Sequence, residues 1–118
     1  MPVSGTLWHV RREGARLTLA RHLPARFDIA AETILPHAAR ERVAQQVRQD
    51  IWRALARQRG FSPVVEVTAG ADGLAVRAGG RVATARFDRS GLEARIAEVL
   101  EAPANRRRWV RMAGGVRG

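Results

Sequence analysis

PHAARERVAQQVRQDIWRALARQRG, residues 36–60, is the stretch on which the fold turns. Its apolar residues recur at helical spacing, with Val43, Ala44, Val47, Ile51, Ala54 and Leu55 forming one stripe. Pro36 is suited to a first helical turn and Gly60 to a stop, so the spacing predicts a helix over about 37–59. Arg42, Arg53 and Arg57, with Gln46 and Gln49, fall roughly opposite the stripe. Such a helix needs an apolar surface to lie on, and the flanking sequence supplies strands for it.

Upstream, residues 6–12 and 16–22 are short and rich in β-formers, and Glu13-Gly14-Ala15 between them predicts a hairpin. Leu17, Leu19 and Leu23 share one parity, and Pro24 ends the run. Phe27 to Leu35 reads as a third strand, completing an N-terminal strand region over 6–35. Downstream, 61–69, 74–78 and 81–87 read as a three-strand meander, turning at Gly70-Ala71-Asp72-Gly73 and Gly79-Gly80. Ser90-Gly91-Leu92-Glu93 matches a capping box, and Leu92, Ile96, Val99 and Leu100 give the following helix an apolar face. Pro103 ends that helix; Asn105 to Ala113 reads as a last helical segment and 114–118 as a frayed tail. The expectation is a small single α+β domain: antiparallel sheet or sheets, one long amphipathic helix and C-terminal helices over 90–113.

The 118 residues suit one domain, and 46% hydrophobic residues suffice for a core. The net charge is +10, and every cation is Arg; the chain contains no Lys, Tyr or Cys. GC-rich, bacterial-like coding accounts for Arg in place of Lys but not for the excess over Asp and Glu. Residues 1–59 carry a net +6, residues 60–101 a net −1 and residues 102–118 a net +5. Two basic blocks around a balanced middle favour polyanions and repel basic partners. Without Cys there is neither disulfide nor thiolate chemistry. With no signal-like or membrane-spanning apolar run, the expectation is a cytoplasmic protein that uses no membrane.

Three groups of residues invite a functional reading. Arg42, Arg53 and Arg57 are fork-shaped donors on one helix face, suited to phosphate or to plain solvation. Trp52 lies roughly 120° from the centre of the apolar stripe, as a contact residue or as a plug under the N-terminal hairpin or the C-terminal helix. Asn105-Arg106-Arg107-Arg108-Trp109-Val110-Arg111 combines charge with an aromatic ring, as nucleic-acid surfaces do; Trp109 equally suits docking onto the core. His9, His22 and His37 have no helical pairing and no acid cluster, so no metal or other cofactor is expected. There is no Gly-x-Ser-x-Gly and no phosphate loop, the carboxylates are dispersed, and no enzyme is expected. The sequence thus reads as a sequence-nonspecific RNA- or DNA-binding protein acting through Arg42, Arg53, Arg57, Arg106, Arg107, Arg108 and Arg111, with Trp52 and Trp109 as aromatic contacts. The alternative is a non-enzymatic interaction or assembly subunit with an acidic protein partner, using Trp8, Trp52 and Trp109 as anchors.

From His37 onward the expected order, helix, three strands, helix, resembles that of double-stranded-RNA-binding domains. Those domains carry a basic cluster at the start of the second helix and a His-bearing loop between the first two strands. Arg89-Ser90-Gly91-Leu92-Glu93 and Gly70-Ala71-Asp72-Gly73 stand in those places, so no family is assigned and no residue role carried over.

Overall fold

Leu17 and Leu19 decide which side of the sheet is covered. They lie on β2 (Arg16–Ala20), which follows β1 (His9–Glu13) across a tight turn. The remaining elements are β3 (Ile29–Leu35), α1 (Arg40–Leu55), β4 (Phe61–Gly70), β5 (Gly73–Val82), α2 (Arg89–Glu101) and α3 (Pro103–Met112). The computed structural model describes residues 8–114. Thr6 and Leu7 of the expected first strand, and residues 115–118 of the expected tail, lie outside the described residues.

The five strands form one antiparallel sheet in the order β1-β2-β4-β5-β3. The register aligns Leu17 with Val67, Val76 and Thr33, and Leu19 with Val65, Ala78 and Ala31, on one face. On that face α1 packs across β2, β4 and β5, and α2 across β3 and β5, while α3 lies against α1 and α2. The α1 stripe is buried as its spacing predicts, with Val43, Ala44, Val47 and Ile51 fully enclosed. Each of the Val and Ile side chains contributes about 1.5–3 kcal/mol on leaving water, and the Ala44 methyl less. The fold is therefore α+β, with one sheet covered on one side.

Four local expectations are corrected. There is no meander over 61–87: β4 and β5 are one ten-pair hairpin from Phe61↔Val82 to Gly70↔Gly73. Gly79-Gly80 is not a turn but the middle of the sheet, where neighbouring backbones come too close for side chains. A Cβ at Gly79 would strike the Ile29 carbonyl and Ala30, and one at Gly80 would strike the Ser62 carbonyl. Residues 83–87 are a connection, so the helix–three-strand–helix order is not formed. The long helix is shorter than 37–59. Ala39 remains extended, its N–H donating to the Ala113 carbonyl at 3.2 Å, and past Leu55 the chain turns through Gly60 (φ 75°) into β4.

The capping box is not formed either. Asp88 caps α2, Oδ1 accepting from the Gly91 N–H at 3.0 Å. Glu93 instead reaches β3 and accepts from the Ala30 N–H at 2.9 Å. Pro103 both stops α2 and occupies the first turn of α3, so the last helix starts two residues before Asn105.

The other face of the sheet is open and near neutral. Arg11, Arg16 and Arg77 share it with Glu13, Glu66 and Glu32. Arg16 stands 2.9 Å from Glu13 and 3.9 Å from Glu66, and Arg77 3.8 Å from Glu32. The β2–β3 connection must pass β4 and β5 to reach the far edge, and Phe27 meets the Arg77 guanidinium at 4.4 Å on the open side. Asp28 ends that passage. Its N–H donates to the Gly80 carbonyl, and its carboxylate accepts from the Val82 N–H, both at 2.8 Å. Hydrogen bonds from Arg26, then from Val82, hold the Asp28 carboxyl below its ordinary value of 3.8.

Two measurements check this account. Gly79→Ala should lower stability by about 1–3 kcal/mol in urea denaturation, because backbone rather than a flexible side chain must yield; an unchanged midpoint would show that β3 shifts freely. Asp28 has a depressed folded pKa, so its stabilisation is present above the unfolded value and is lost as pH falls through the folded one. Asp28→Asn should thus be less stable than the parent at pH 7, and the gap should close on acidification below about pH 3.8.

Candidate functional site

The residues singled out in the sequence divide sharply once placed. Trp109 is not a surface contact. It is fully buried, and its indole Nε1 donates to Asp50 Oδ2 at 2.7 Å. Arg108 is bound to the same carboxylate oxygen, and Arg53 approaches the other at 3.9 Å. Arg106 is also committed internally: its guanidinium donates to the Thr33 hydroxyl (2.7 Å), the Leu100 carbonyl (3.0 Å) and the Ile34 carbonyl, with Glu101 at 3.7 Å. The expectation that Trp109 is a surface contact is corrected by its burial, while Arg106 and Arg108 are engaged in bonds within the fold. The basic run is a helix whose inward turn supplies the anchors, and α1 supplies the acid that receives them.

Arg107 and Arg111 stand one turn apart on the outer side of α3, exposed and without a carboxylate partner among the described residues. Arg42 on α1 and Arg57 in the turn that follows it are exposed and equally unpaired among the described residues. Because α3 packs against α1, with Gln46 donating to the Trp109 carbonyl at 3.5 Å, these arginines belong to one layer. The layer lies on the far side of the molecule from the near-neutral open sheet face. Among the described residues no helix is long and apolar enough to cross a membrane, and no three His, Asp or Glu side chains converge.

A cleft of about 470 Å³ opens on the other flank of α1. Trp8, Arg21, His22, Arg48, Trp52 and Phe61 line it. Arg48 and Trp52 are four residues apart and so share a helix face. The Arg48 guanidinium lies over the Trp8 ring at 4.6 Å, and that of Arg21 at 5.9 Å, both within cation–π range. Trp52 stacks on Phe61 with ring centroids 6.3 Å apart and planes 7° from parallel, yet remains 43% exposed. Arg48 donates to Gln45 Oε1 at 3.1 Å, while its buried Nε has no partner among the described residues. Burial pushes its pKa below the ordinary guanidinium range. The cleft therefore offers an open aromatic face beside guanidinium groups that no described carboxylate neutralises.

Sequence reasoning found Trp52 by its angle on the wheel but missed Arg48, Arg21 and His22. The discoverable signal was the Arg48–Trp52 spacing of one helical turn; the approach of Trp8 depends on the hairpin. No family model matches the chain, and neither a curated protein nor a solved structure matches it.

Asp50 is the residue whose loss should be felt most widely. Asp50→Ala leaves the buried Trp109 N–H without an acceptor and should cost about 1–3 kcal/mol in chemical denaturation. A matching loss of near-ultraviolet circular dichroism from Trp109 would place the damage at α3; an unchanged midpoint would show that α3 docks by apolar contact alone.

Proposed function

We propose that the protein binds nucleic acid without sequence preference, through phosphate contacts from the outer surfaces of α1 and α3 and from the turn that follows α1. The observation that carries this reading is the sorting of charge. Arg16 and Arg77 on the open sheet face have glutamate partners, whereas Arg42, Arg57, Arg107 and Arg111 are exposed without any among the described residues. Unpaired guanidinium groups on one layer, in a chain of net charge +10, attract a polyanion and supply the forked donors that phosphate oxygens accept. Phosphate contacts carry no base identity, which is why no sequence preference accompanies them. A cytoplasmic location, where such partners are met, belongs to the same reading.

The test is fluorescence anisotropy of labelled RNA and DNA titrated with salt. Log affinity should fall linearly with log salt, by about 0.9 per neutralised phosphate on duplex and about 0.7 on single strands. Replacing Arg42, Arg57, Arg107 and Arg111 together by Gln should reduce that slope by about 3 and weaken all sequences alike. Arg106 and Arg108 are left intact, since changing them would undock α3. An unaltered slope in a folded quadruple variant would reject the surface.

A further inference from the structure

The arginine layer by itself favours duplex, because duplex carries the denser phosphate charge. The cleft beside it has a different chemistry. Its volume of about 470 Å³ lies within the roughly 300–1,000 Å³ of small-ligand sites, so it admits a single nucleotide rather than a helix. A base inside a duplex has both ring faces covered and shows only its edges in the grooves. An unpaired base offers a face, and Trp52 offers one in return, the residue being 43% exposed and its ring backed by Phe61. Arg48, one turn before Trp52 on the same helix face, and Arg21 bring positive charge over the Trp8 ring in the same cleft. Arg48 is a partly buried cation without a carboxylate partner among the described residues, an arrangement that costs energy until an anion approaches.

We infer that this cleft holds one unpaired nucleotide of a strand, its base stacked on Trp52 and its phosphate beside Arg48 and Arg21, giving the protein a preference for single-stranded over duplex nucleic acid. This rests on the nucleic-acid reading above and adds the form of substrate. His22 and the Ser62 hydroxyl stand on the rim as hydrogen-bonding groups for the sugar or the base edge. The arrangement accepts any base, since every base has a face to stack.

The experiment compares three probes at matched salt: a labelled thymidine oligomer of ~12 nucleotides, within the roughly 4–16 that one small domain covers, a duplex of equal length, and thymidine monophosphate. The parent should bind the oligomer more tightly than the duplex and the mononucleotide weakly. Trp52→Ala should lower oligomer affinity on the order of tenfold, with duplex affinity changed less than about twofold. Arg48→Gln should act in the same direction, and circular dichroism should show both variants folded. Trp52 is largely exposed, so its variant keeps the test valid if Arg48→Gln fails to fold. Equal losses on oligomer and duplex, or no loss on either, would overturn the cleft while leaving the arginine layer standing. Absence of binding to both at low salt would overturn the nucleic-acid reading and the cleft with it. Mononucleotide binding as tight as the oligomer's would overturn the strand and assign the cleft to a free nucleotide.

Discussion

The carboxylate of Asp50 joins α1 to α3, and most of the molecule's surface chemistry depends on that joint. One oxygen receives the Trp109 indole N–H and the Arg108 guanidinium, and the other faces Arg53. Trp109 is thereby enclosed completely within the core, its large ring adding to the apolar contacts that dock α3. With Trp109 fixed, the phase of α3 is fixed too. Asn105 then reaches the Val99 carbonyl of α2, Arg106 reaches β3, and Arg107 and Arg111 are turned to solvent. A single partly buried acid thus determines which cations of the Arg-rich segment hold the structure and which remain available.

The same division runs through the whole chain. Net charge gives the sign of the field but not its place. Ion pairs across the open sheet nearly cancel the charge of that face, and hydrogen bonds donated to Asp50, Thr33 and backbone carbonyls absorb Arg106 and Arg108. Of the cations left without a described carboxylate partner, Arg42, Arg107 and Arg111 lie on the helical side and Arg21 and Arg48 in the cleft between α1 and the N-terminal hairpin, while Arg11 stands on the sheet and Arg57, Arg59 and Arg86 in connections. Exposed pairs such as Arg77 with Glu32 contribute little stability, about 0–1 kcal/mol, so their main consequence is electrostatic cancellation.

Much of the fold was legible because it rests on periodicities that are local. The alternation of Leu17 and Leu19, the α1 stripe and the apolar face of α2 each follow from a few neighbouring residues. The errors arise where distant chain decides. Gly79-Gly80 has the composition of a turn, yet the approach of Ile29 on one side and Ser62 on the other makes glycine necessary in the middle of a strand. Ser90 has the spacing of a cap, but Asp88 is better placed, and Glu93 is drawn away to an unpaired N–H of β3. The candidate site was legible in part for the same reason. Helical spacing sets Trp52 apart from the core stripe, whereas the company it keeps is made by the β1–β2 hairpin folding Trp8 and Arg21 alongside α1. The burial of Trp109 was one of two readings the sequence left open, and only the position of Asp50 selects it.

Glu93 and Arg106 reach the outer side of β3 from different helices, one holding the Ala30 N–H and the other the Ile34 carbonyl. An edge strand with unpaired backbone groups is a template for another chain, and β3 carries an exposed Ile34 that would make it an adhesive one. Two charged side chains already seated at opposite ends of that edge leave an incoming strand no continuous ladder to join. The protein thereby keeps a flat, partly apolar border at its surface without offering it for aggregation, and an arginine that resembled a ligand contact in the sequence serves as a guard on the sheet.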